Sequence, residues 1–123
     1  MLEAFLEQEP QYIALCISET WLTSEKLDTL NISRFQIASS YSRANRKGGG
    51  VCILLREDIE YKEEYAITEM SVEYIIEACA CELPKEKILL IAIYWNRKEE
   101  AIIAGQLYTY NLNNKLNKLL TIK

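Results

Sequence analysis

"VEYIIEACACELPKEKILLIAIYW", residues 72–95, decides the fold. Two apolar runs rich in Ile, Leu, Ala and Cys flank Pro84-Lys85, a pair suited to a turn. The pattern predicts a β-hairpin, with one strand over 72–83 and its partner over 86–95. Side chains alternate along a strand, so Ile75, Glu77, Cys79 and Cys81 fall on one face.

Toward the N-terminus the same texture recurs. "FQIASSY" (35–41) and "VCILLRED" (51–58) read as strands joined by the irregular loop "SRANRKGGG" (42–50), a second hairpin. "YIALCI" (12–17) has little polar alternation and suits a strand covered on both faces. Ser24 is a fitting N-cap for a short helix near 25–30. Leu2, Phe5 and Leu6 share a helical face that Pro10 ends. Beyond Asn96, Ile103, Leu107, Tyr110, Asn114 and Asn117 form one stripe, which predicts a helix over 98–120 weakened at Gly105 and the asparagines. Strand pairs with helices before and after them define one domain of α/β (α+β) class, a sheet with helices packed on it.

Composition narrows the function classes. The 123 residues carry a formal charge of −4, against a coat protein for nucleic acid but not against a local basic patch. No apolar run reaches the ~18 residues of a membrane span. The first ten residues hold three glutamates and no basic side chain, unlike a secretory signal, so an intracellular setting, nucleus or cytoplasm, is expected. The four cysteines form no CxxC pair and the chain has no histidine, so zinc is disfavoured. Cys16, Cys52, Cys79 and Cys81 all sit in apolar runs and are expected to be buried, reduced thiols.

Three features could carry chemistry. The triplet Gly48-Gly49-Gly50 lacks the Lys-Ser/Thr and following helix of a phosphate-binding loop, and it opens a strand. A bend requiring positive φ is the better reading. Arg43, Arg46 and Lys47 form the strongest basic cluster, suited either to a phosphodiester backbone or to a plain solvated hairpin tip. Glu19, in "CISETWL" (16–22), closes an apolar strand. The end of a buried parallel strand is a common ligand position, and one carboxylate there can hold Mg²⁺, although an acid at a strand end also serves as ordinary surface.

Taken in order, "ISETWL", "SYSRANRKGGGVCILL" and "VEYIIEACACELPKEKILLIAIYW" resemble the endonuclease/exonuclease/phosphatase superfamily. The resemblance is greatest to the apurinic-type endonuclease domain of non-LTR retrotransposon polyproteins, and it spans about residues 10–94. It implies a β-sandwich flanked by helices, a Mg²⁺ or Mn²⁺ cofactor, DNA as partner and phosphodiester hydrolysis as the reaction. On the same resemblance Glu19 would be the metal-binding acid, Tyr94 would face the scissile phosphate, and Asn96 would match the asparagine that follows. The basic residues Arg43, Arg46 and Lys47 would then contact DNA. "YWNRKEE" lacks the prolines usual after that tyrosine. The family's Gly-Asp-Phe-Asn strand, its early asparagine strand and its late histidine segment are also missing. The implied protein is therefore a partial nuclease domain, residues 1–123, inactive alone, whose partners would include the rest of the domain or a reverse transcriptase. The alternative is a domesticated, non-catalytic module that binds protein or nucleic acid.

Overall fold

The computed structural model describes residues 12–44 and 48–95. Among them are six strands: β1 (Ala14–Ser18), β2 (Phe35–Tyr41), β3 (Val51–Arg56), β4 (Lys62–Glu63), β5 (Ile76–Leu83) and β6 (Ile88–Trp95). Two short helices accompany them, α1 (Ser24–Thr29) and α2 (Tyr65–Thr68). The helices expected over 2–8 and 98–120 lie outside the described residues. The class is α+β and mostly β.

Both expected hairpins form. β5 and β6 pair antiparallel from Ile76↔Trp95 to Leu83↔Ile88. The strand starts later than the sequence suggests, because Tyr74 has φ +72° and the Val72 N–H donates to the Ile76 carbonyl across a tight turn. β2 and β3 also pair antiparallel, with a register shift between Ile37 and Ser39. Sheet one runs β1-β3-β2 and sheet two runs β4-β5-β6.

The sheets pack face to face. Val51, Ile53 and Leu55 of β3 meet Cys79, Cys81 and Leu83 of β5, all essentially without exposure. Alternation then sends Cys52 and Leu54 to the outer face of sheet one, under Ile32. On the outer face of sheet two, Ile76, Ala78 and Ala80 lie beneath Ile67 of α2. β3 is buried on both sides, which is why "VCILL" shows no polar alternation. Each such side chain contributes about 1.5–3 kcal/mol by leaving water. Across the β2/β4 flank, the Ser39 hydroxyl donates to Glu63 Oε2 at 2.8 Å.

Three expectations are corrected. β1 pairs antiparallel with β3 and lies at the edge of its sheet, so it is neither parallel nor covered on both faces. Its apolar run reflects Leu15 and Ile17 packing on the outer cluster, while Cys16 and Ser18 are exposed. Cys16 is accordingly the one of the four cysteines that is not buried. The cap of α1 is Thr23, whose hydroxyl accepts from the Lys26 N–H at 3.2 Å, and not Ser24, which already lies within the helix.

Candidate functional site

The end of β1, the start of β3, the start of β5 and the end of β6 meet at one end of the sandwich. Ser18 is the register partner of Val51, and Glu77 that of Tyr94. Past Ser18 the chain turns sharply. Glu19 and Trp21 take φ +55° and +58°, conformations that cost a non-glycine residue free energy.

Backbone bonds hold that turn against the glycines. The Thr20 N–H donates to the Gly50 carbonyl at 3.3 Å, and the Trp21 N–H donates to the Gly49 carbonyl at 3.0 Å. Gly48, Gly49 and Gly50 have φ +85°, +64° and +83°, the positive values expected of a bend. A Cβ on Gly50 would also lie 2.7 Å from Thr20 Oγ1, so only glycine lets the two segments touch. On Gly49 it would overlap the Arg43 guanidinium.

Glu77 locks the loop from beneath. Its side chain has no exposure, and it accepts from the Gly50 N–H at 2.7 Å, the Tyr74 N–H at 2.8 Å and Arg43 Nε at 2.5 Å. Arg43 is 7% exposed, with its Cζ 5.4 Å from the Tyr74 ring centre and 5.8 Å from that of Tyr94. Such cation–ring contacts add to the ion pair. Burial pushes the nearby Tyr41 phenol up, and the negative charges of Glu77 and Glu73 push the same way against Arg43. The hydroxyl therefore stays protonated at neutral pH.

The sequence-derived residues divide accordingly. Glu19 is exposed on the strained turn, and Tyr94 is half-buried against the inner core. They belong to one connected assembly: Glu19 adjoins Thr20, Thr20 bonds Gly50, Gly50 bonds Glu77, and Glu77 stands opposite Tyr94. Arg43 departs from expectation. Rather than lying on the open tip of a loop, it turns inward to a buried carboxylate that would otherwise be unpaired. Arg46, Lys47 and Asn96 lie outside the described residues.

Two residues escaped the sequence reading. Glu77 had a legible signal, a single carboxylate on the inward face of an apolar strand. Trp21, 67% exposed, had none beyond its place after Glu-Thr.

A metal held at this end of the sandwich would meet the exposed carboxylate of Glu19. No cluster of three His, Cys, Asp or Glu side chains able to hold a metal occurs among the described residues. Glu19 fits a Mg²⁺ that keeps most of its waters, and does not fit a protein cage. Among the described residues no helix is long and apolar enough to cross a membrane. No family model, no curated protein and no solved structure matches the chain.

Proposed function

We propose that this chain is the metal-anchoring and phosphate-facing part of a DNA endonuclease of the endonuclease/exonuclease/phosphatase type, of the kind carried by non-LTR retrotransposons, and that alone it does not cleave DNA. One observation supports this above the others. The segments that carry an acid and a phenol far apart in sequence are tied together at one end of a two-sheet sandwich, through the Thr20–Gly50 and Gly50–Glu77 hydrogen bonds and the register pairing of Glu77 with Tyr94.

Glu19 would hold Mg²⁺ or Mn²⁺ through its exposed carboxylate. When bound, the ion polarises the phosphate and stabilises the departing oxygen. Tyr94 would donate its phenolic proton to a phosphate oxygen as charge builds there. The chain has no histidine, and no second acid stands beside Glu19 in a metal-holding group among the described residues. A general base and an oriented water are each worth orders of magnitude in rate, and histidine, the usual base, is lacking from the sequence.

Titration with Mn²⁺ tests the reading through paramagnetic broadening of amide signals. Broadening is expected around residues 18–21 and at Gly50, and its loss in Glu19→Gln. Broadening elsewhere, or unchanged in that variant, removes the metal site. Supercoiled plasmid with Mg²⁺ should stay intact; nicking that Glu19→Ala abolishes would overturn the claim of inactivity.

The single acid also suits the second reading, a module that binds without cleaving. Salt-dependent DNA affinity, weakened by charge reversal at Arg46 and Lys47 and indifferent to Glu19, would favour it.

A further inference from the structure

We infer that Trp21 is a stacking platform for an unpaired nucleobase, so that the strand engaged beside Glu19 is single-stranded or locally opened. The inference deepens the nuclease reading and rests on it for the choice of ligand.

The indole lies flat on the glycine loop. A Cβ built on Gly48 would stand 3.2, 3.3 and 3.3 Å from Cζ2, Cε2 and Cη2. Near-equal distances to three consecutive ring atoms mean an approach to the ring face. An approach in the ring plane would leave the two flanking atoms markedly farther than the central one. One face of the ring is thus turned toward Gly48, and φ +85° together with the lack of room for a Cβ explains why glycine occupies the position.

The opposite face is the one open to solvent. Trp21 is 67% exposed and belongs to none of the three apolar clusters of the described residues. Large indoles normally contribute by burying their area, so an orientation fixed by glycine packing and a backbone bond, with the ring left in water, is unusual for a core residue. The Trp21 N–H to Gly49 carbonyl bond, 3.0 Å, holds the ring's root in place. Its backbone is strained at φ +58°, and strain of that kind gathers at ligand sites.

Charge selects the ligand. In the sequence Arg46-Lys47 immediately precedes Gly48, within the most basic stretch of an otherwise acidic chain. Flat aromatic faces beside cations are the means by which proteins hold single strands, because every base offers a π-face and every link a phosphate. A duplex hides those faces in its own stack.

The test uses intrinsic fluorescence. The chain has two tryptophans, so Trp95→Phe leaves Trp21 as the only reporter. Oligothymidylate should quench it saturably, and Trp21→Ala should weaken binding about tenfold or more while Trp21→Phe keeps most of it. An abasic oligonucleotide of equal length separates stacking from charge and should bind much like Trp21→Ala binds oligothymidylate. Equal binding of abasic and thymidine strands, or affinity within twofold in a folded Trp21→Ala, overturns the proposal. So does quenching by a proline-rich peptide but not by oligothymidylate. The Mn²⁺ titration keeps the two readings apart: loss of stacking with Glu19-dependent broadening intact removes only the platform.

Discussion

The Glu77 carboxylate and the Arg43 guanidinium form a buried ion pair, Oε2 to Nε 2.5 Å, whose side chains are 0% and 7% exposed. The pair joins the end of β2 to the start of β5, and through the Gly50 N–H it also fixes the turn that carries Glu19 and Trp21. Perturbing it should therefore be felt in stability and at the site together.

Removing one partner leaves a buried charge. Glu77→Ala and Arg43→Met should each cost about 3–5 kcal/mol, enough to approach the whole stability of a small domain. Glu77→Gln, which keeps an acceptor for the Gly50 or Tyr74 N–H, should cost less. The double replacement Arg43→Met/Glu77→Met should be milder than the sum of the single ones. Urea denaturation across this cycle checks it, and additive costs would show that the pair is not coupled.

Gly50→Ala and Gly48→Ala should separate. Both force an alanine to φ above +80°, worth about 1–2 kcal/mol. Gly50→Ala adds a collision with Thr20 Oγ1 and a tight approach to the Tyr41 carbonyl, whereas a methyl at Gly48 meets the Trp21 side chain and would displace the ring from its seat. Gly50→Ala should be the more damaging in chemical denaturation, and Gly48→Ala should change Trp21 emission.

Glu19→Gly should stabilise the fold. Glycine relieves the positive φ of the turn by about 1 kcal/mol. If Glu19 holds the metal as proposed, Mn²⁺ broadening should vanish in the same variant. A thermal melt alongside the Mn²⁺ titration decides it; a destabilised variant would mean that the carboxylate itself supports the turn.

Thiol chemistry should sort the cysteines. Native Cys16 should react with an alkylating reagent while Cys52, Cys79 and Cys81 react only on unfolding, read by intact mass. Burial pushes Cys52 and Cys81 up to about 11 and Cys79 higher still, the last opposed by a hydrogen bond with Ser39. The unfolded chain releases these protons near the usual 9.0 and the folded chain does not. Alkali therefore favours unfolding: stability is complete below about pH 9 and declines as pH rises toward about 11. Denaturation midpoints at pH 8 and 10.5 test the sign.

Ser42 offers a control near the site. Its hydroxyl oxygen is buried and has no hydrogen-bond partner. Ser42→Ala should be neutral or stabilising by up to about 1 kcal/mol, since it removes an unsatisfied polar atom. A clear loss in denaturation midpoint would show that the hydroxyl has a partner in solution.

By itself the sequence determined the local elements. Apolar runs set strands β1, β2, β3, β5 and β6, the turn begun by Pro84-Lys85 set the β5–β6 hairpin, and three consecutive glycines set a bend at positive φ. These depend on alternation, turn chemistry and the missing Cβ, all properties of neighbouring residues. Only the tertiary structure decided that the two hairpins belong to different sheets and face each other, that β1 is an antiparallel edge with Cys16 uncovered, and that Arg43 turns inward. Strand partners, and the buried charge that claims a cation, come from remote parts of the chain. Glu77, thirty-four positions beyond Arg43, had to be brought beneath the glycine loop before either charge could choose its direction.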